Sequence, residues 1–255
     1  MAGALIVVLS VVIGIYAYYS ARAGLIDIDV IKEMPKTSTV YDYQGHAFGS
    51  FFDENRIILP PNQPVPKLLA QAVVDIEDRR FYSHGAIDLY GIARAAVSNL
   101  TGHGSRQGGS TITQQLGRNS IGQMQRTYDR KLLEIFLAHR IEEAYTKDQI
   151  LRYYLDRIYF GQGLYGAETT ANAFFGIPAS KLNLAQCALL AGMISSPNSS
   201  SPWKDITAAR TARDRALVCM VRAGDITQAE ADKAQKAPLA LRPRPNFGGS
   251  SRMPS

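Results

Sequence analysis

The chain has 255 residues and a formal net charge of +6, and its two cysteines are too few for a disulfide framework. That length holds one large domain or two lobes with a sizeable core. The basic balance suits an anionic partner such as a phosphate ester, an acidic membrane surface or nucleic acid, and composition does not choose among them.

No charged side chain precedes Arg22, and residues 4–19 are almost wholly apolar, close to the ~20 residues that cross a bilayer as a helix. Residues 1–23 therefore read as a transmembrane anchor, with Tyr16, Tyr18 and Tyr19 suited to the headgroup boundary. Ala21-Arg22-Ala23 also fits a signal-peptide cleavage site, but no basic region precedes the apolar run, which favours a retained anchor. Arg22, Lys32 and Lys36 follow the span and none precedes it, so the positive-inside rule does not support a chain whose bulk lies outside.

Residues 24–65 carry short β-type runs broken by glycine and proline, and read as a linker with one hairpin. From Pro66 the apolar period is helical. It predicts helices over 66–80, 88–100, 111–117, 127–145, 148–158, 166–175, 182–194, 205–223 and 228–237, a mostly α domain over 66–237. Thr227 and Glu230 form a capping box, and Gly224 stops the preceding helix. Cys187 and Cys219 lie in apolar helical runs and read as buried free thiols. Residues 238–255, rich in Pro, Arg, Gly and Ser with no apolar period, read as a disordered tail.

Four stretches go beyond packing. Glu77 sits at the border of the apolar stripe Leu68, Leu69, Ala72, Val73 and Ile76, where lost hydration can raise a carboxylate toward general-base range. Taken alone, the stretch favours an exposed acid paired with Arg79 or Arg80. Gly108-Gly109-Ser110-Thr111-Ile112-Thr113-Gln114-Gln115 is a glycine turn feeding a helix start, able to hold an anion or a sugar hydroxyl. An N-cap by Ser110 explains much of it, but not the paired glutamines. Arg130 and Glu134 are four apart, the spacing of a surface ion pair, and Lys131 shares their face. With Arg118 and Arg126 they make a cationic cluster suited to a pyrophosphate. Tyr159 to Gly166 is a glycine-punctuated turn between helices and not a dinucleotide fingerprint. His46, His84, His103 and His139 lack metal-ligand spacing, so no metal site is assigned.

These motifs, in order from about Val40 to Pro202, resemble the peptidoglycan glycosyltransferases, the family of monofunctional transglycosylases and of the first domain of bifunctional penicillin-binding proteins. The match runs through Glu77-Asp78-Arg79-Arg80-Phe81 with His84, Gly109 to Leu116, Arg130-Lys131 with Glu134, Ile150-Leu151 with Tyr154-Leu155, Tyr159-Phe160-Gly161, and Leu184 to Ala191. The resemblance implies a lysozyme-like, two-lobed helical domain behind an N-terminal transmembrane helix. It implies a single-pass enzyme of the bacterial cytoplasmic membrane, with its catalytic domain on the outer face, that polymerises lipid II. On this resemblance Glu77 is the base that takes the proton of the acceptor 4-hydroxyl, with inversion at the donor. Glu134 is the second catalytic carboxylate. Arg118, Arg126, Arg130 and Lys131 face the leaving pyrophosphate, and Asp78, His84, Ser110, Gln114 and Gln115 contact substrate. The implied partners are lipid II, the polyprenyl-pyrophosphate-linked glycan, the membrane and, by analogy alone, the cell-wall synthesis machinery; nucleic acid is not among them. No cofactor is required, and a divalent cation at the pyrophosphate is left open.

The chain departs from the family pattern at Arg118 for a usual Lys, Asp156 for Asn, Ile177 for Lys and Gln186 for Glu. Two rival readings remain at this level: a lysozyme-like enzyme that cleaves glycan with water, and a non-catalytic membrane-anchored scaffold. The cationic cluster weighs against the first, because a neutral glycosidic bond needs no pyrophosphate site.

Overall fold

The computed structural model describes residues 1–33, 38–41, 43–44, 47–51, 55–101, 109–120 and 127–244. The chain divides into two compact units, one of residues 1–36 and 74–158 and the other of residues 37–73 and 159–255. The fold is mostly helical, with an apolar helix at its N-terminus.

In the first unit, α1 (Ala2–Gly24) is followed by a 3-10 turn, Ile28–Ile31. Then come the end of α2 (Lys67–Glu77), α3 (Leu89–Thr101), α4 (Ile112–Ser120), α5 (Tyr128–Ala144) and α6 (Lys147–Arg157). Side-chain caps set the starts of α5 and α6. Thr127 Oγ1 accepts the Arg130 N–H at 3.1 Å, and Thr146 with Gln149 forms a capping box. The core lies where α4 meets α5 and α6. Ile112, Leu116, Leu133, Leu137, Ile141, Ile150, Leu151 and Leu155 are buried there, so α4 is held on both flanks.

The span Gly3–Gly24 is long and apolar enough to cross a membrane, and Leu5, Ile6, Val8 and Leu9 are exposed along it. Its far end packs on α5. Tyr16 meets Phe136 edge-on at 5.3 Å between centroids, and Tyr19 stacks on the same ring at 5.9 Å. These two tyrosines therefore have a protein partner as well as the boundary position read from the sequence.

The helix expected over 66–80 ends at Glu77. The Asp78 N–H still bonds the Val74 carbonyl at 2.9 Å, but the Asp78 side chain turns to the start of α4 and Arg80 turns to Asp88. One long-range polar contact and one eight residues ahead thus outweigh one further helical turn.

In the second unit, β1 (Ser38–Tyr41) and β2 (Ala47–Phe51) form an antiparallel hairpin. A three-stranded sheet joins β3 (Asn55–Arg56), β4 (Tyr159–Gly161) and β5 (Leu164–Tyr165), with β5 central, parallel to β3 and antiparallel to β4. Residues 159–166, read from the sequence as a turn between helices, are therefore largely strand. Gly161 has φ +92°, and a Cβ there would come within 2.3 Å of the Pro197 carbonyl oxygen, so both backbone and space require glycine.

Four helices complete this unit: α7 (Ala167–Phe175), α8 (Leu184–Met193), α9 (Ile206–Ala223) and α10 (Gln228–Lys236). The backbones of α8 and α9 approach closely at Gly192, where a Cβ would meet the Ala212 carbonyl oxygen at 2.1 Å. Gln186, the departure from a usual Glu, completes a capping box with Asn183 and donates from Nε2 to the Leu239 carbonyl at 3.2 Å. Thr227 and Glu230 cap α10 reciprocally, and Gly224 ends α9 at φ +88°. Cys187 is buried, and burial pushes its thiol up to about 12, whereas Cys219 is only partly buried.

Residues 238–244, the start of the expected tail, make tertiary contacts. Pro238–Arg244 is docked: Leu239 is buried, the Arg242 N–H bonds the Phe174 carbonyl at 2.7 Å, and Trp203 Nε1 donates to the Arg242 carbonyl at 2.9 Å. These tertiary contacts offset the lack of any local period. The rest of the expected tail, 245–255, lies outside the described residues.

Candidate active site

The chemistry-bearing residues of the first unit converge on α4. Glu77, the last residue of α2, is partly buried, and its Oε2 accepts from Gln115 Nε2 at 2.9 Å. Gln115 Oε1 in turn accepts from the Tyr154 hydroxyl at 3.0 Å. Tyr154 is fully buried, and that burial, reinforced by the charge of Glu77, raises its hydroxyl well above the ordinary tyrosine value. It stays a phenol and donates to the amide oxygen of Gln115, while the carboxylate of Glu77, which only accepts, fixes the amide's orientation. Glu77 therefore meets the NH₂ side of that amide. Replacing Tyr154 by Phe is expected to cost about 1 kcal/mol of stability and to lower turnover several-fold, because Gln115 then loses one of the two bonds that position it against Glu77. Thermal unfolding and steady-state kinetics check the two effects separately.

Beside Glu77, Asp78 is buried and binds structure. Its Oδ2 accepts the Ile112 N–H at 3.0 Å, capping α4 with a charge at the positive end of the helix dipole. Its Oδ1 lies 2.7 Å from His84 Nε2, while His84 Nδ1 lies 2.6 Å from the Gly85 carbonyl oxygen. The residue before α4, Thr111, accepts the Gln114 N–H at 3.2 Å, so the side-chain cap is Thr111 and not Ser110. An Asp78→Ala change is expected to cost about 3 kcal/mol, the upper range for hydrogen bonds to a charged group. Thermal melting of the solubilised chain reads that loss directly.

Asp78, His84 and Asp88 bring one possible metal-binding atom each within 4.8 Å of one another. These atoms already face His84, the α4 N-terminus and Arg80, so the cluster is closed by its own pairs.

The cationic group meets α4 at Gln114, one residue before Gln115. Lys131 Nζ donates to Ser110 Oγ at 2.8 Å and to Gln114 Oε1 at 2.7 Å, and lies 3.6 Å from Glu134 Oε2. Gln114 is tied at its other end, its Nε2 donating to the Ala86 carbonyl at 2.8 Å. Arg130 Nε lies 3.0 Å from Glu134 Oε1. The side chain of Glu134 is only 1% exposed, against 40% for Lys131, so Glu134 sits beneath the cations it pairs with. Desolvation lowers the proton affinity of Lys131, Glu134 partly restores it, and Arg118 and Arg130 lower it further. Arg118, partly buried on α4, thus bears on the same charge cluster. Arg126 lies outside the described residues.

Glu77, Asp78, His84, Ser110, Gln114, Gln115, Arg118, Arg130, Lys131 and Glu134 all fall in this one unit. The surface ion pair that the Arg130–Glu134 spacing suggests is a buried one. Sequence reasoning missed the positioning part of Tyr154; a hydroxyl among the apolar residues Ile150, Leu151 and Leu155, which must find a buried partner, was the available signal.

The profile of the transglycosylase family matches residues 44–221, beginning inside the segment read as linker. A protein of Cupriavidus necator that carries the transglycosylase name is 44% identical over 182 residues, which are 71% of this chain and 78% of that one. Penicillin-binding protein 1A of Escherichia coli is 36% identical over 225 residues, 87% of this chain and 26% of that protein. Penicillin-binding protein 1A/1B of Bacillus subtilis is 37% identical over 222 residues, 87% of this chain and 24% of that protein. The chain thus spans about a quarter of the length of these two penicillin-binding proteins. A crystal structure of penicillin-binding protein 1A from Haemophilus influenzae aligns with 83% of this chain and 22% of its own, at a TM-score of 0.49 and 18% identity. With more than half its length matched by the family profile, the chain belongs to the transglycosylase family, the peptidoglycan glycosyltransferases, and is a glycosyltransferase.

Proposed function

We propose that the chain polymerises lipid II into glycan strands, with the growing strand on its polyprenyl pyrophosphate as donor. The observation that carries this reading is the pair of consecutive glutamines on α4. Gln115 donates to Glu77, and Gln114 accepts from Lys131. One rigid helix therefore spaces a carboxylate from a cationic cluster, which is what transfer from a glycosyl pyrophosphate to a hydroxyl requires.

Glu77 takes the proton of the acceptor 4-hydroxyl as that oxygen attacks the anomeric carbon of the donor, and the bond to the pyrophosphate oxygen breaks with inversion. Charge grows on the leaving pyrophosphate, where Lys131, Arg130, Arg118 and Arg126 offset it, and preorganised cations in a partly desolvated site do so without reorganising. Glu134, buried and paired with Arg130 and Lys131, acts by holding those cations in place. Ser110 and Gln114 aim the Lys131 ammonium, and Asp78 with His84 holds the segment that presents Glu77 to the start of α4. A divalent cation could add to the charge at the pyrophosphate. The span Gly3–Gly24 supports a single-pass membrane protein, and we assign the catalytic unit to the outer face, where its lipid-linked substrate is consumed.

The test compares two substrates on the detergent-solubilised chain. Lipid II should yield a ladder of lengthening glycan on a gel, and finished cell-wall glycan should remain intact. Muropeptide release from finished glycan with no ladder from lipid II would replace this reading by a hydrolase.

A further inference from the structure

The helix that carries Arg130, Lys131 and Glu134 is also the helix on which the membrane anchor ends. Arg22, in the last turn of α1, pairs with Asp129 at 2.6 Å, and the Tyr19 hydroxyl donates to the same carboxylate oxygen at 2.9 Å. Tyr16 and Tyr19 pack on Phe136, two residues beyond Glu134. Arg140, one turn further, donates to the Ala23 carbonyl and, at 2.6 Å, to the Ile26 carbonyl, so it grips the C-terminal end of α1. Ala23 is 1% exposed. Asp129 precedes Arg130 by one residue and Lys131 by two, about 3 Å of axial rise along α5.

We propose that the Arg22–Asp129 pair and the Arg140 grip are a positioning device that sets the height of the Arg130–Lys131 cluster above the bilayer, so that it meets the pyrophosphate of a lipid still embedded there. Arg22 and the tyrosines mark the point where an apolar span leaves the membrane. A rigid joint at that point ties the depth of the cluster to the depth of the span. A substrate whose pyrophosphate is fixed at the headgroup level by its own lipid tail gains from such a joint, and a substrate free in a micelle does not. The proposal rests on the lipid II reading, and Asp129 and Arg140 act through Arg130 and Lys131, not on substrate.

Asp129 also stands in the first turn of α5, where an acid favours the helix dipole with or without Arg22. Arg22→Ala therefore separates the two roles, since it leaves that dipole contact intact. The full chain is reconstituted in vesicles with Tyr128, which is exposed, replaced by Trp. Quenching by lipids brominated at graded depths is read above the Trp203 background of the parent.

The expected result is a shifted or broadened depth profile in Arg22→Ala and in Asp129→Ala. Turnover of vesicle-embedded lipid II should fall about 10-fold, well inside the ~10²-fold that an ångström of misplacement can cost. Turnover of a short-chain analogue in detergent should change less than about twofold, and the exchanged pair Arg22→Asp with Asp129→Arg should recover part of the loss. An unchanged depth profile in both single variants overturns the proposal, as does an equal loss on both substrates. Failure of the lipid II reading is seen separately, as a parent that makes no polymer from either substrate whatever the depth profiles.

Discussion

Replacement of Glu77 by glutamine is expected to lower glycan polymerisation by about 10²–10⁴-fold, the usual worth of a positioned general base, while the unfolding temperature stays within error of the parent. The two halves of this expectation come from the same geometry. Glutamine keeps an oxygen where Glu77 Oε2 accepts from Gln115, so the buried chain from Tyr154 through Gln115 survives. What is lost is the capacity to take a proton. A general base removed in this way lowers kcat with little change in KM, because its interaction with the hydroxyl strengthens only as that proton leaves. Circular-dichroism melting beside a gel-resolved polymerisation assay reads both quantities on one preparation. A fall in stability that parallels the fall in activity would make Glu77 a packing residue.

The second large effect is expected at Lys131. Lys131→Met removes a cation that touches Ser110, Gln114 and Glu134 at once, and turnover should fall by about 10²–10³-fold, the loss seen when one preorganised charge-stabilising donor is deleted. Lys131→Arg should rescue little of it, because a planar fork cannot place one compact charge between a hydroxyl and an amide oxygen. Burial holds the Lys131 ammonium below the ordinary lysine value, with Arg118 and Arg130 acting in the same direction. Its proton is therefore lost at a lower pH than that of a free lysine, and activity should fall as pH rises through that depressed value.

Stability moves the other way. Above the depressed value the unfolded chain binds the proton more tightly than the folded one, so the contribution of this group to stability grows with pH up to the unfolded lysine value. A pH profile in which activity declines while the melting temperature does not would place the titrating group at Lys131; parallel declines would point to alkaline unfolding.

How much of this was legible beforehand differs from element to element. The helices α2, α3, α4, α6, α7 and α10 follow an apolar period of 3.6, α8 is apolar and buried on nearly every side, and the caps at Thr227 and Gly224 lie where local chemistry puts them. The half-buried position of Glu77 also follows from that period, because the stripe through Leu69, Ala72 and Val73 leaves its carboxylate at the margin. Other features needed the fold. An i, i+4 spacing is the same for a solvated pair as for a buried one, so the spacing alone does not show that the Glu134 side chain is 1% exposed. Asp78 stops α2 by capping a helix 34 residues further on, a partner no local window contains. Likewise Leu239 sits in a segment without periodicity and is buried, its carbonyl bonded by Gln186 of α8 while Arg242 bonds the end of α7.

The central claim is that one carboxylate and one cationic cluster, spaced by α4, carry out a single transfer from a lipid pyrophosphate. Its most direct test is a paired count, on the full chain in detergent, of disaccharides added to glycan and of polyprenyl pyrophosphate released. The account predicts one pyrophosphate released for each disaccharide joined in the parent, and neither product above background in Glu77→Gln. Pyrophosphate release without chain growth, or chain growth that persists in Glu77→Gln, would contradict it.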